Sequence, residues 1–270
     1  MNSANVDFGF LRQVVMSQSG NLVDPSRDYL FESRLQGVLH TRGLHSLGEL
    51  VTALRSDRGE LQRSVVEAMM INETSFFRDA PTFELLRTEL LPNLIARRKD
   101  ERRLRFWSAA SSSGQEAYSL AMLIRENFPE PSEWKIEIVG SDISHEMVER
   151  SRAGRYQRIE VNRGLPARLL IKYLTRRGDE WKFKPEIREM CQFQQRNLLS
   201  VPTAGWRFDC IFLRNVMIYF PEERRREVLM NVHRSLRPDG ALILGLSEQP
   251  RLDSHWKTEL RSNAVWYRPI

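Results

Sequence analysis

Arg105-Phe-Trp-Ser-Ala-Ala-Ser-Ser-Ser-Gly-Gln-Glu-Ala-Tyr-Ser-Leu-Ala-Met-Leu-Ile124 is the stretch that decides the fold. Apolar residues around Phe106 and Trp107 read as a short strand. Ser108 to Gly114 are small, and helical spacing resumes at Ala117, Leu120, Ala121 and Ile124. The order is strand, tight loop, helix. Side chains this small let a ligand approach the backbone, and the helix that follows turns its free N–H groups toward the loop. That is the pattern of the first nucleotide-binding turn of a doubly wound sheet.

The loop has one glycine, Gly114, and no lysine. It therefore matches neither the spaced glycines of a dinucleotide fingerprint nor the Gly-Lys-Ser/Thr of a phosphate loop. Glu116, just inside the helix, would repel a phosphate but could accept hydrogen bonds from a cationic amino group. A cationic nucleoside without phosphates meets both conditions, and S-adenosylmethionine is one. Taken alone, the loop reads equally as a flexible turn with Glu116 as a favourable first-turn acid.

Working outward, Lys135-Ile-Glu-Ile-Val-Gly-Ser-Asp142 predicts a second strand, with a helix opening near Ser144. Asp142 at its carboxyl end reads as a helix cap or, paired with the preceding loop, as the acid that accepts ribose hydroxyls. Phe208-Asp-Cys-Ile-Phe-Leu-Arg-Asn215 is apolar enough for a buried parallel strand and ends in Arg214-Asn-Val-Met-Ile-Tyr219. Pro221 starts a helix ending near Leu236, Pro238-Asp-Gly240 turns the chain, Ala241 to Leu246 is another strand, and Val265-Trp-Tyr267 closes the sheet as an edge. Between Ala153 and Gln195, a helical piece at Leu169, Leu170 and Tyr173 precedes two strand-like runs, Trp181–Pro185 and Ile187–Phe193, expected as a small antiparallel insertion.

Residues 1 to about 75 read as four amphipathic helices forming a small bundle. On the second, Arg27, Arg34 and Thr41 recur every seven residues and would share one basic face, suited to an acidic partner helix or simply to solubility. Asn72-Glu-Thr-Ser-Phe-Phe-Arg-Asp79 follows as a polar and aromatic loop before a helix opened by Pro81.

Bulk properties exclude several classes. Hydrophobic residues make up 41% and charged residues 28% of the 270, as in a soluble globular protein. The longest apolar runs fall short of a membrane span and no export segment is recognisable, so a cytoplasmic protein is expected. Cys191 and Cys210 read as reduced core residues, and the five histidines show no metal-ligand spacing, so no metal is expected. The net charge of +6 favours an acidic partner, whether nucleic acid or an acidic protein surface.

Four ordered motifs resemble the chemotaxis receptor glutamate methyltransferases, the CheR family: residues 72–79, Trp107 to Ser119, Gly140-Ser-Asp-Ile-Ser144, and Arg214 to Phe220. The resemblance spans almost the whole chain. It implies a class I methyltransferase-like α/β fold: a doubly wound, mostly parallel sheet with a small N-terminal helical bundle and a small antiparallel β insertion. The expected division is a receptor-docking helical domain over residues 1–76 and a methyltransferase domain over 77–270, with the β subdomain at about 160–195. The resemblance further implies S-adenosylmethionine as cofactor, S-adenosylhomocysteine as product, and methyl esters on chemoreceptor glutamates. By motif, Asn72, Thr74, Arg78, Glu116, Asp142, Asn197, Leu198, Arg214 and Asn215 are the implied cofactor positions, with Arg78 and Tyr219 nearest the transferred methyl group.

Departures from the family pattern are Ser111, Ser113, Gln115 and Ala117 in place of Cys, Thr, Glu and Pro, all small or near-isosteric changes. The short loop Arg176-Arg-Gly-Asp-Glu180 argues against the receptor C-terminal peptide tether of some members and for direct recognition of receptor helices, through the Arg27 and Arg34 face. A nucleic-acid methyltransferase is disfavoured because the strand-end motif is Arg-Asn-Val-Met and neither cysteine follows a proline. A non-catalytic cofactor sensor is disfavoured by the presence of both Arg78 and Tyr219.

Overall fold

The computed structural model describes residues 6–57, 59–128, 134–203, 205–251, 254–261 and 264–270. It divides into two compact units, Met1–Ile71 with Ile218–Arg225, and Asn72–Met217 with Arg226–Ile270.

The smaller unit holds α1 (Phe8–Ser19), a 3₁₀ turn (Pro25–Arg27), α2 (Tyr29–Arg34), α3 (Gln36–Arg42), α4 (Leu47–Ser56) and α5 (Glu60–Met69). Leu11, Val15, Phe31, Leu35, Leu50 and Val65 are fully buried at its centre. Side-chain caps start α1 at Asp7 and α4 at Ser46, and left-handed glycines end α1 and α3, at Gly20 and Gly43. The helix expected across Arg27 to Thr41 is interrupted at Leu35, where ψ is −1°, and Arg27 lies in the preceding 3₁₀ turn. A seven-residue repeat therefore does not define one helix face here. Arg34 is half-buried and donates from Nη1 to the Met69 carbonyl at 2.9 Å, which satisfies an open carbonyl at the end of α5. The proposed basic docking face made of Arg27 and Arg34 is corrected accordingly.

In the larger unit, α6 (Ala80–Leu85) passes through a wide π turn (Leu86–Leu90) into α7 (Leu91–Arg97). Then come β1 (Arg103–Ala109), α8 (Gln115–Asn127), β2 (Lys135–Asp142), α9 (His145–Ala153), β3 (Arg155–Gln157), α10 (Arg158–Val161) and α11 (Ala167–Tyr173). The chain continues through β4 (Leu174–Arg177), β5 (Glu180–Phe183), α12 (Pro185–Arg188), β6 (Cys191–Gln195), β7 (Phe208–Leu213), α13 (Glu222–Ser235), β8 (Leu236–Leu244), β9 (Trp256–Arg261) and β10 (Ala264–Pro269). The main sheet has the order β6-β2-β1-β7-β8-β10-β9. β6, β2, β1, β7 and β8 run parallel, and β10 is antiparallel to β8 and β9. This is the mostly parallel, doubly wound sheet expected, with the order reversing at β1.

Four details differ from the sequence reading, the first being that residues 238–240, expected as a turn ahead of the next strand, lie within β8 (Leu236–Leu244). The run Ile187–Phe193 is not a strand of the insertion: a helical turn at Pro185–Arg188 precedes β6, which pairs with β2 as the edge of the main sheet. The small sheet is instead β3-β5-β4, with β4 and β5 joined across Gly178-Asp179, where Gly178 has φ +62°. At the far end of the main sheet, β10 lies inside and β9 is the edge.

A buried ion network fastens the amino ends of the strands. Asp209, fully buried, accepts from Arg98 Nε at 2.6 Å and from the Arg105 N–H at 2.8 Å, while Arg98 also reaches Asp239 through both Nη atoms. Cys191 and Cys210 are buried and unbridged, and burial pushes both thiols up. Among the described residues no helix is long and apolar enough to cross a membrane.

Candidate functional site

The parallel register places Ser141, Ala109, Leu213 and Leu244 in one row at the carboxyl ends of β2, β1, β7 and β8. Asp142 ends β2, and Glu116, Arg214 and Asn215 follow β1 and β7, because side chains on a parallel sheet are presented where the strands end. The first loop is shaped by alternating left-handed residues, Ala110 (φ +58°), Ser112 (+48°) and Gly114 (+91°). Phe77 (+47°), Asp79 (+62°) and Asn215 (+58°) add three more on neighbouring loops. Non-glycine residues in this region cost on the order of 1 kcal/mol each, and such strain concentrates at functional sites.

Asp142, 6% exposed, holds the first loop in place. Its Oδ2 accepts from the Ser112 N–H at 2.8 Å and its Oδ1 from the Ser144 N–H at 3.0 Å. Ser112 Oγ donates to the Asn72 carbonyl at 2.7 Å, and the Phe77 N–H donates to Ser119 Oγ at 2.9 Å, so the Asn72–Asp79 loop is pinned to α8 and to the loop before it. Phe76 is buried against Tyr156 and Phe183 of the insertion.

Arg214 is the hinge-pin of the cluster. Its side chain is 2% exposed and its Nη1 donates to Glu116 Oε2 at 2.7 Å. Its Nη2 donates to Asp79 Oδ2 at 2.7 Å and to the Arg78 carbonyl at 2.8 Å. Ser108 Oγ donates to the other Glu116 oxygen at 2.7 Å. The structure thus brings together Arg78, Glu116 and Arg214 directly, and Asn72 with Asp142 through Ser112. Arg78 itself is half-buried, with Nη1 donating to the Glu73 carbonyl at 3.1 Å.

The other expected residues lie on separate segments. Asn197 follows β6, where its Oδ1 accepts from the Leu199 N–H at 3.0 Å, and the buried Leu198 carbonyl accepts from Asn231 at 3.1 Å. Thr74 is half-buried in the Asn72–Asp79 loop. Tyr219 ends a 3₁₀ turn (Met217–Tyr219) and its carbonyl accepts from the Leu22 N–H at 2.9 Å within the smaller unit. Arg78 belongs to the larger unit, so the expected Arg78 and Tyr219 pair is divided between the two.

Sequence reasoning gave no role to Asp79, Ser108, Ser112 or Glu248. Glu248, 6% exposed, accepts four backbone N–H groups: Asn215 (2.7 Å) and Gly245 (2.9 Å) on Oε2, Val216 (3.0 Å) and Met217 (2.8 Å) on Oε1. The only signal was an acid just beyond a strand-end glycine, which also describes many solvated acids.

The polar groups of the cluster fit a cationic nucleoside. Two carboxylates, Glu116 and Asp142, flank a loop of small residues, and Ser111 Oγ in that loop is buried with no hydrogen-bond partner among the described residues. Comparison with known proteins agrees. The CheR methyltransferase SAM-binding domain model matches residues 72–265 and the CheR all-alpha domain model residues 6–70. The chain is 39% identical over 274 residues to chemotaxis protein methyltransferase 1 of Pseudomonas aeruginosa, covering 99% of each chain. It is 38% identical over 275 residues to chemotaxis protein methyltransferase Cher2 of Pseudomonas putida, again covering 99% of each. It is also 38% identical over 239 residues to the chemotaxis protein methyltransferase of Vibrio parahaemolyticus, covering 86% of this chain and 85% of that one.

Proposed function

The chain belongs to the CheR methyltransferase family, and from that premise we propose that it methylates glutamate side chains on the cytoplasmic helices of chemoreceptors during chemotaxis. S-adenosylmethionine is the cofactor and, when bound, supplies an activated methyl group on a positively charged sulfur.

One observation carries the choice of acceptor. The carboxylates of the cluster are already engaged: Glu116 by Arg214 and Ser108, Asp79 by Arg214, Asp142 by two N–H groups and Glu248 by four. Each of the four already accepts hydrogen bonds from donors of the protein. An alcohol or amine acceptor would need a base, whereas a glutamate, with an ordinary pKa of about 4.3, arrives ionised. The protein's contribution is then to position two opposite charges and to exclude water as they neutralise.

Each residue has a part in this reading. Asp142 takes the ribose hydroxyls and Glu116 the amino group, with Asn72, Thr74, Asn197, Leu198 and Asn215 completing the cofactor's surroundings. Arg78 orients the acceptor carboxylate without pairing it tightly, since a tight pair would stabilise the ground state as well. Tyr219 is the residue proposed to donate a hydrogen bond during the transfer. Arg214, with both Nη groups occupied, acts by holding Arg78 and Glu116 in place. The helical unit docks on the receptor, and the two-residue β4–β5 turn leaves recognition to the receptor helices without a C-terminal peptide tether. The setting is the cytoplasm.

The test offers labelled cofactor with receptor cytoplasmic fragments, tRNA and DNA in separate reactions. Base-labile label on a receptor fragment is the expected result. Label on nucleic acid, base-stable label, or cofactor binding with no transfer to any fragment would overturn the proposal.

A further inference from the structure

The carboxylate of Glu248 ties the end of β7 to the end of β8 at the level of the site. It draws in three consecutive N–H groups, from Asn215, Val216 and Met217, together with that of Gly245, all within 3.0 Å. Its own N–H donates to the Gly245 carbonyl at 2.9 Å, closing the turn on itself. Successive N–H groups converging in this way form an anion-binding concavity, here filled by a side chain of the protein.

The residue type follows from the donor count. An ionised carboxylate is acceptor-only and offers about four lone-pair sites on two oxygens, whereas an amide has one acceptor oxygen and would aim its NH₂ at two of the four donors. The packing leaves little slack: a Cβ on Gly245 would lie 2.7 Å from Glu248 Oε2 and 2.9 Å from Asn215 Nδ2. The segment so held begins with Asn215 in the left-handed region, φ +58°, directly after Arg214. A side chain that fixes three peptide groups in a row fixes where Asn215 points.

We infer that Glu248 is a positioning residue of the cofactor site, acting through the Asn215 segment rather than by touching the cofactor. The inference rests on the reading of Asn215 as a cofactor-site residue given above.

The experiment measures affinity for S-adenosylhomocysteine by calorimetry on Glu248→Gln, Gly245→Ala, Asn215→Gly and the Glu248→Gln/Asn215→Gly pair, well below each variant's melting temperature. Glu248→Gln should bind at least fivefold more weakly than the parent protein, and in the Asn215→Gly background the same change should cost less than twofold. Gly245→Ala disturbs the same contacts without removing a charge and should also lose at least fivefold. It carries the test if Glu248→Gln does not fold.

A purely structural role would lower the melting temperature and leave the affinity of the folded molecules intact. A loss below fivefold in Glu248→Gln, or in Gly245→Ala where Glu248→Gln does not fold, or losses that multiply in the double variant, overturns the inference. If the parent protein itself does not bind S-adenosylhomocysteine, the proposed function fails instead.

Discussion

Replacing Arg214 by methionine keeps most of the buried stem and removes the guanidinium that joins three segments. The change deletes hydrogen bonds to Glu116 (2.7 Å), Asp79 (2.7 Å) and the Arg78 carbonyl (2.8 Å). It also leaves two carboxylates facing the vacated position. Breaking a buried ion pair from one side costs about 3–5 kcal/mol. Glu116 and Asp79 are 14% and 23% exposed and regain some hydration, so the lower end, about 3 kcal/mol, is expected. At about 2–4 °C per kcal/mol for a domain of this size, the melting temperature should fall by about 6–12 °C. The Arg78 carbonyl is released at the same time, so affinity for S-adenosylhomocysteine should drop with stability. Arg214→Lys should recover only part of both, because an ammonium lacks the fork that reaches two acids at once. Scanning calorimetry and titration on the same preparations check this. A melting temperature within about 2 °C of the parent protein's, or unchanged affinity in the methionine variant, would refute the clamp.

Gly164→Ala should destabilise by at least about 2 kcal/mol and weaken cofactor binding, checked by thermal melting and titration. Its Cβ would fall 2.1 Å from the Phe76 carbonyl at φ +89°, so the Asn72–Asp79 loop would have to move. Arg98→Met removes the closest cation from the fully buried Asp209, which keeps the Arg105 N–H at 2.8 Å and Arg237 Nε at 3.4 Å; denaturant titration should show a loss at the lower end of the buried-pair range, about 3 kcal/mol, with cofactor affinity intact. Glu126 tests acid stability. Burial opposes its ionisation, but hydrogen bonds from Lys172, Tyr173 and Arg168 prevail and hold its carboxyl at about 2, against 4.5 unperturbed. The folded value is depressed, so this contribution is complete above pH 4.5 and is lost as pH falls toward 2. Because Arg168 and Lys172 are largely exposed, its size should be about 1–2 kcal/mol. Glu126→Gln should lower stability by that amount at pH 7 and flatten the acid limb of a pH-dependent unfolding series.

What the chain shows to a reader of its sequence divides along a physical line. Residue period is local, so β2 is found over Lys135–Asp142 as expected, and the strand, loop and helix around Gly114 lie where small residues separate two apolar patterns. Partner choice is not local. Ile187–Phe193 is short and apolar, and only the pairing of Cys191 with Ile138, more than fifty residues away, makes its second half an edge strand of the main sheet. The break at Leu35 escapes for a related reason: Phe31, Leu35 and Leu39 keep helical spacing straight through it. The site divides in the same way. Asp142 and Glu116 stand out because they end a strand and start a helix. Asp79 and Glu248 look like any solvated acid until the fold brings Arg214 to one and three successive N–H groups to the other. An acid's chemistry at such a site is set by which donors reach it, and donors converging from separate strand ends are a property of register. Register links residues such as Leu213 and Leu244, which no short window of sequence contains together.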